Sequence, residues 1–271
     1  MIIYQSFDEI DIKGPVCLAM GNFDGVHPGH RSLIEKCVQV AGERGWTPAV
    51  FTFSELTANA VSGSRAVRSL IPQAEKVRIL EDLGIKVMIS VPFTKDIMEL
   101  SAGDFIEKLV SRMELRHAVC GFNFRFGYKA QGTASFLSGM GMVFGFETRI
   151  VPEVRIGGKT VSSTLLRQTL AEGDLKAYSE YAEKDFYLTS DVLSLPKKGE
   201  NVLRFDISSD QALPPTGSYR MMYEGGCVSQ LVSGVIASDD GVSSLYLDCE
   251  EPLPGMIENN GKLSLFRLEF V

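Results

Sequence analysis

Between residues 15 and 151 short apolar runs alternate with stretches whose apolar positions recur at helical spacing. Residues 16–20, 47–53, 86–91, 117–121 and 146–151 read as strands, because each is a brief apolar run bounded by polar or turn-forming residues. Between the first two, Leu33, Ile34, Cys37, Val38 and Ala41 fall on one helical face, and Gly45 supplies a stop. Residues 74–83 and 104–113 read as further helices. The second is announced by Ser101-Ala102-Gly103-Asp104, a capping pattern in which the Ser101 hydroxyl satisfies a backbone N–H of the first turn. This alternation predicts a parallel sheet covered on both faces, an α/β domain of Rossmann-like architecture.

Residues 162–170 and 174–182 carry two more helical patterns. Beyond about residue 185 the character changes to β-rich runs at 187–193, 202–207, 219–223, 228–236, 244–247 and 263–270, separated by Gly, Pro, Asn and Asp. Asn259-Asn260-Gly261 has the composition of a hairpin turn. The expectation is an α/β domain over 1–185 and a smaller antiparallel, barrel-like β domain over 186–271.

Charge changes the picture by its distribution. The net charge of -7 argues against general nucleic-acid binding, which favours a basic surface. Residues 186–271 hold six Lys and Arg against twelve Asp and Glu, whereas residues 1–185 hold 21 against 22. Chemistry on anionic phosphates therefore belongs in the first part. The five cysteines are scattered without a Cys-x-x-Cys pair, which suits a reducing compartment. No run approaches a membrane span, and Met1-Ile2-Ile3-Tyr4 lacks the basic start of a signal peptide. A cytoplasmic protein with no membrane partner is expected.

The candidate chemistry starts at Gly21-Asn22-Phe23-Asp24-Gly25-Val26-His27-Pro28-Gly29-His30, at the end of the first strand. Pro28 suits the first helical position, so His27 and His30 should lie about one turn apart beside the positive end of a helix dipole. Gly25 and Gly29 let a ligand approach the backbone. His-x-Gly-His after an apolar strand is the pattern of nucleotidyl transfer from a nucleoside triphosphate, whose anionic phosphates need such a site. It is neither a P-loop nor a dinucleotide fingerprint. Catalysis here needs no covalent intermediate, only alignment of a phosphate oxygen with the α-phosphorus and charge stabilisation. Mg²⁺ held mainly by phosphates is the expected helper.

Two further constellations follow. In Ser162-Ser163-Thr164-Leu165-Leu166-Arg167, a serine can cap a helix facing an anion, and Arg167 can grip triphosphate oxygens in a two-toothed contact. The plainer alternative is a capped helix with a surface arginine. In Gly121-Phe122-Asn123-Phe124-Arg125-Phe126-Gly127-Tyr128-Lys129, aromatics interleaved with Arg and Lys can stack on a flat heterocycle while contacting phosphate; the alternative is a loop with core phenylalanines.

In this order the three motifs resemble the bacterial bifunctional riboflavin kinase/FAD synthetase family, over roughly residues 12–190. The matching patterns are Gly-x-Phe-Asp-Gly-x-His-x-Gly-His at 21–30, Phe-Arg-Phe-Gly at 124–127, and Val161-Ser-Ser-Thr-x-x-Arg ending at Arg167. Residues 89–100, with Pro92-Phe93-Thr94-Lys95, also resemble the family's segment after its third strand. The resemblance implies an N-terminal domain that adenylylates FMN from ATP. It implies that His27, His30, Ser163 and Arg167 are catalytic. Gly21, Asn22, Phe23, Asp24, Gly25, Gly29, Ser162 and Thr164 would meet ATP and its phosphates. Asn123, Phe124, Arg125, Phe126 and Gly127 would position flavin, with Asn123 also a candidate for the metal.

The chain departs from the family in two respects. Where the family carries Thr-Phe-x-Pro-His-Pro, this sequence reads Thr52-Phe53-Ser54-Glu55-Leu56-Thr57. The Pro-Thr-Ala-Asn signature of the family's kinase barrel is absent near Leu203-Arg204-Phe205-Asp206, and the chain ends at Val271 without the usual terminal helix. The expected function is FMN adenylyltransferase without riboflavin kinase activity, the second domain being a shortened kinase-like relic. The alternatives are adenylylation of another phosphorylated acceptor, such as pantetheine phosphate or nicotinate mononucleotide, and non-catalytic binding of flavin or nucleotide.

Overall fold

A computed structural model describes residues 1–63, 67–190, 193–194, 197–198, 202–207, 211–225, 228–239, 242–248 and 266–270. The chain forms two compact units, one built from 1–67 and 73–162, the other from 68–72 and 163–271. No helix among the described residues is long and apolar enough to cross a membrane.

In the first unit the order is β1 (Ile2–Tyr4), β2 (Pro15–Met20), α1 (Pro28–Arg44), β3 (Thr47–Phe53), α2 (Thr57–Ser62), α3 (Gln73–Asp82), β4 (Val87–Val91), α4 (Lys95–Met98), α5 (Ala102–Val110), β5 (Glu114–Gly121), β6 (Arg125–Phe126), β7 (Gly132–Thr133), α6 (Ala134–Phe144) and β8 (Glu147–Val151). A hairpin of β9 (Arg155–Ile156) and β10 (Lys159–Thr160) ends it. Six strands pair in parallel in the order β1-β4-β3-β2-β5-β8. The α/β expectation is met.

Both faces of β2 are buried, as a central parallel strand requires. Val16, Leu18 and Met20 join a cluster with Phe51, Phe105 and Leu109. Against the backbone of β2 and β3, Cys37 of α1 donates its thiol to Cys17 O at 3.2 Å, and its Sγ lies 3.5 Å from Ala49 O.

Local chemistry sets several boundaries. Pro28 opens α1, and Gly45 closes it at φ 66°, donating its N–H to Ala41 O. Ser101 accepts from the Asp104 N–H at 3.1 Å, so α5 starts at Ala102, ahead of the expected residue 104. The sequence pattern did not foresee α6. Its run Ala-Ser-Phe-Leu-Ser-Gly-Met-Gly-Met-Val-Phe lacks a clear helical stripe, and its N-cap, Thr133 accepting from Phe136 N–H at 3.0 Å, was not recognised. Gly141 is obligatory there, because a Cβ would lie 2.4 Å from Phe146 O.

The second unit contains α7 (Ser163–Ala171), α8 (Leu175–Ala182), β11 (Tyr187–Thr189), β12 (Lys197–Lys198), β13 (Val202–Ile207), β14 (Gly217–Gly225), β15 (Val228–Asp239), β16 (Val242–Asp248) and β17 (Phe266–Phe270). Seven strands pair antiparallel in the order β11-β17-β14-β15-β16-β13-β12. Phe205, Tyr223, Leu245, Leu268 and Phe270 are buried in it. The run expected at 187–193 stops at Thr189, and Leu193 instead makes a single bridge to Ile207. The expected turn at Asn259-Asn260-Gly261 lies outside the described residues.

Candidate active site

The strand order reverses at β2. From β2 the chain proceeds through α1 to β3 and β4 on one side, then returns through β5 to β8 on the other. In parallel sheets, ligands bind at the carboxyl ends of the strands flanking such a reversal. The histidine motif follows β2 and the Phe-Arg-Phe-Gly motif follows β5, so the topology brings both onto neighbouring strand ends.

The turn after β2 is tight and strained. Phe23 (φ 49°), Gly25 (φ 78°) and Val26 (φ 39°) all adopt left-handed backbone. For Phe and Val this costs about 1–3 kcal/mol each and persists only where the surroundings enforce it. Both are fully buried, and the Phe23 ring packs edge-on against His30 with centroids 5.4 Å apart. A Cβ at Gly21 would lie 3.3 Å from that ring.

His27 occupies the N-cap of α1 in extended backbone, its carbonyl receiving the Arg31 N–H at 2.9 Å. Its imidazole stacks on that of His30, with centroids 3.8 Å apart and planes 21° from parallel. A Cβ at Gly29 would meet the His27 ring at 3.2 Å and would lie 4.0 Å from Val161 O. The segment leading into the Ser-Ser-Thr motif thus borders the histidine turn at Val161.

Beneath the turn lies a charged pair that sequence reasoning missed in half. Asp24 is 2% exposed and Lys76, from α3, is 6% exposed. Lys76 Nζ donates to Asn22 O at 3.2 Å, and Thr52 Oγ1 donates to the same carbonyl at 3.2 Å. Burial lowers the Lys76 ammonium below the ordinary lysine range, and the Asp24 carboxylate opposes that shift. The available signal was spacing. Lys76 stands four residues before Leu80, which is fully buried, and so shares its inward face.

In the turn after β5, Phe124 N–H bonds to Gly121 O at 3.0 Å and Phe122 N–H to Val151 O at 2.9 Å. Asn123 and Arg125 are exposed, as is Phe122 at 48%. Phe124 and Phe126 stack at 5.3 Å, and Phe126 reaches Phe105 in the core. Gly127 has φ 72°, and a Cβ there would lie 2.6 Å from the Ala102 backbone. The motif therefore divides into an anchoring pair of rings and an outward-facing Phe122, Asn123 and Arg125.

Of the remaining expected residues, Ser162 directly precedes α7, and Ser163, Thr164 and Arg167 lie on it, within the second unit for the last three. Arg167 is half-buried and Thr164 exposed.

A parallel α/β sheet, with a stacked histidine pair at a helix N-terminus at the strand-order reversal, fits the nucleotidyltransferase class that the family comparison shows. The FAD synthetase family model matches residues 9–165, and the chain belongs to that family. A bifunctional riboflavin kinase/FMN adenylyltransferase of Listeria monocytogenes is 28% identical over 215 residues, covering 76% of this chain and 67% of the relative. The Bacillus subtilis enzyme of the same description is 28% identical over 216 residues with the same coverage. That of Escherichia coli K12 is 29% identical over 186 residues, 68% of this chain and 59% of the relative. Among solved structures, one described as a macrolide-efflux protein from Streptococcus pneumoniae aligns with TM-score 0.84. It is 19% identical and covers 99% of this chain and 89% of that one, a likeness that speaks to the fold alone.

Proposed function

We propose that this chain transfers AMP from Mg²⁺-ATP to FMN, giving FAD and pyrophosphate, and that it does not phosphorylate riboflavin. The observation that carries the reading is the stacked His27/His30 pair at the start of α1, in a chain of the FAD synthetase family. A phosphate oxygen of FMN attacks the α-phosphorus while the bond from that phosphorus to the β-phosphate bridge breaks. The new phosphoanhydride forms as pyrophosphate leaves with the bond's electron pair, so no proton transfer is obligatory.

His27 and His30 hold the triphosphate in line and meet the charge that develops on pyrophosphate. Each imidazole carries at least one ring N–H, and both can be aimed at the oxygens of a polyanion. The α1 dipole adds to the attraction. Gly21–Gly25 and Gly29 give the phosphates close access, while Ser162, Ser163, Thr164 and Arg167 are assigned to the triphosphate by their chemistry and by the family motif. Asn123, Arg125 and the Phe124/Phe126 rings are assigned to the flavin. Magnesium arrives on the triphosphate, whose oxygens suit it better than imidazole does.

Residues 1–185 are taken as the transferase domain and 186–271 as a kinase-like β domain without kinase activity. The absent Pro-Thr-Ala-Asn signature supports the latter, since residues 203–206 form part of an ordinary ladder between β16 and β12. A cytoplasmic enzyme acting on small molecules fits this chemistry.

Purified protein incubated with Mg²⁺-ATP and either FMN or riboflavin, followed by chromatography of the flavins, tests the proposal. FAD from FMN with riboflavin unchanged is expected. FMN from riboflavin would overturn the loss of kinase activity, and no product from FMN would overturn the choice of acceptor.

A further inference from the structure

We propose that Lys76 is a positioning residue for the histidine pair: bonded to the Asn22 carbonyl beside Asp24, it clamps the strained turn that aligns His27 and His30. The proposal rests on the nucleotidyl-transfer reading above, since it concerns the same site.

A lysine rarely sits at 6% exposure without a partner that holds its charge. Here the ammonium ends on a particular backbone atom. Asn22 O receives Lys76 Nζ from α3 and Thr52 Oγ1 from β3, each at 3.2 Å. One residue earlier, Gly21 N–H bonds to Phe51 O at 3.2 Å. The chain leaving β2 is therefore fixed by three hydrogen bonds immediately before Phe23, the first left-handed residue. Asp24 supplies the countercharge from within the turn itself, so α3 is tied electrostatically to the segment it restrains.

The turn needs such restraint. Val26 at φ 39° is β-branched and would leave that region if its neighbours allowed. Any relaxation between Asn22 and Val26 moves the N-cap residue His27, and with it a ring stack of 3.8 Å. Lys76 has no assigned contact with ATP or FMN. Its effect passes through the backbone of the turn.

The test uses the intact chain and four forms: wild type, D24N, K76M and the D24N/K76M double variant. K76M strands the Asp24 carboxylate and is expected to lose stability; the double variant leaves no stranded charge and should recover it. The chain has only three histidines, so its imidazole NMR spectrum is simple. His117, on β5 opposite Cys17, serves as an internal reference.

If Lys76 positions the pair, the His27 and His30 resonances of the double variant lie further from wild type than those of D24N, while those of His117 stay put. Its kcat for FAD formation then falls at least tenfold below that of D24N, with KM for ATP changing less than kcat. If Lys76 only balances charge, the double variant, which strands no charge, returns toward the wild-type His27 and His30 resonances with a kcat no lower than that of D24N, and the proposal falls. Should the wild type fail to adenylylate FMN, the acceptor assignment fails, but the imidazole spectra still decide the role of Lys76.

Discussion

The imidazoles of His27 and His30 stack face to face, with centroids 3.8 Å apart, although two residues separate them at the join of a tight turn and a helix. His27 is 6% exposed and His30 half-buried, so neither ring is a freely moving surface side chain. Two donors held in this way can engage adjacent phosphate oxygens with little ordering left to do on binding.

His30→Ala should lower kcat for adenylyl transfer by about 10²–10³-fold, the usual loss when a donor to developing charge is removed. The melting temperature should change by only a few degrees. Steady-state kinetics beside a thermal melt would check this, and unchanged kcat would remove His30 from the chemistry.

Gly29→Ala separates stability from activity. Alanine in a helix gains up to about 1 kcal/mol over glycine. Its Cβ would press on the His27 ring at 3.2 Å, however. The expected variant is as stable as wild type or slightly more so, with turnover reduced roughly tenfold by displacement of the ring. Wild-type turnover would mean that the ring yields without consequence.

Gly127→Ala should damage the fold of the loop after β5. It combines φ 72° with a Cβ 2.6 Å from the Ala102 backbone. A loss of at least about 2 kcal/mol is expected in urea unfolding. Arg125→Ala, changing an exposed side chain in the same motif, should leave stability within about 0.5 kcal/mol.

Acid should destabilise the first unit through His117. Burial lowers its imidazole below the ordinary value of 6.5, the Glu147 carboxylate at 3.4 Å opposes this, and Lys36 and Arg44 add to the lowering. The unfolded chain then binds more protons than the folded one between the lowered value and 6.5. This contribution to stability is complete above 6.5 and lost as pH falls through that window. His117→Gln should flatten the dependence of melting temperature on pH between about 7.5 and 5. An unchanged slope would show that other groups carry it.

Much of the first unit was legible in the sequence because its determinants are local. Thr47–Phe53 and Val87–Val91 are apolar runs ended by turn chemistry, and the strands formed there. Pro28 and Gly45 bound α1 by steric rules that act within one residue. The short edge strand β1 was less legible, since Ile2 and Ile3 are exposed and their strand exists only because β4 lies beside it.

The histidine motif announced its residues and not their arrangement. The sequence determined that two imidazoles stand three residues apart at the end of an apolar strand, with glycines around them, because strand, turn and helix start each follow from nearest neighbours. Only the tertiary structure decided that the rings stack, that Lys76 is drawn beneath the turn, and that Gly127 and Gly141 have no room for a methyl group. Lys76 is 54 residues from its carbonyl partner. Gly127 is 25 positions from the backbone that forbids its side chain. Contacts of that range depend on how β2, β3, α3 and α5 pack together, and packing is a property of the assembled core rather than of any window along the chain.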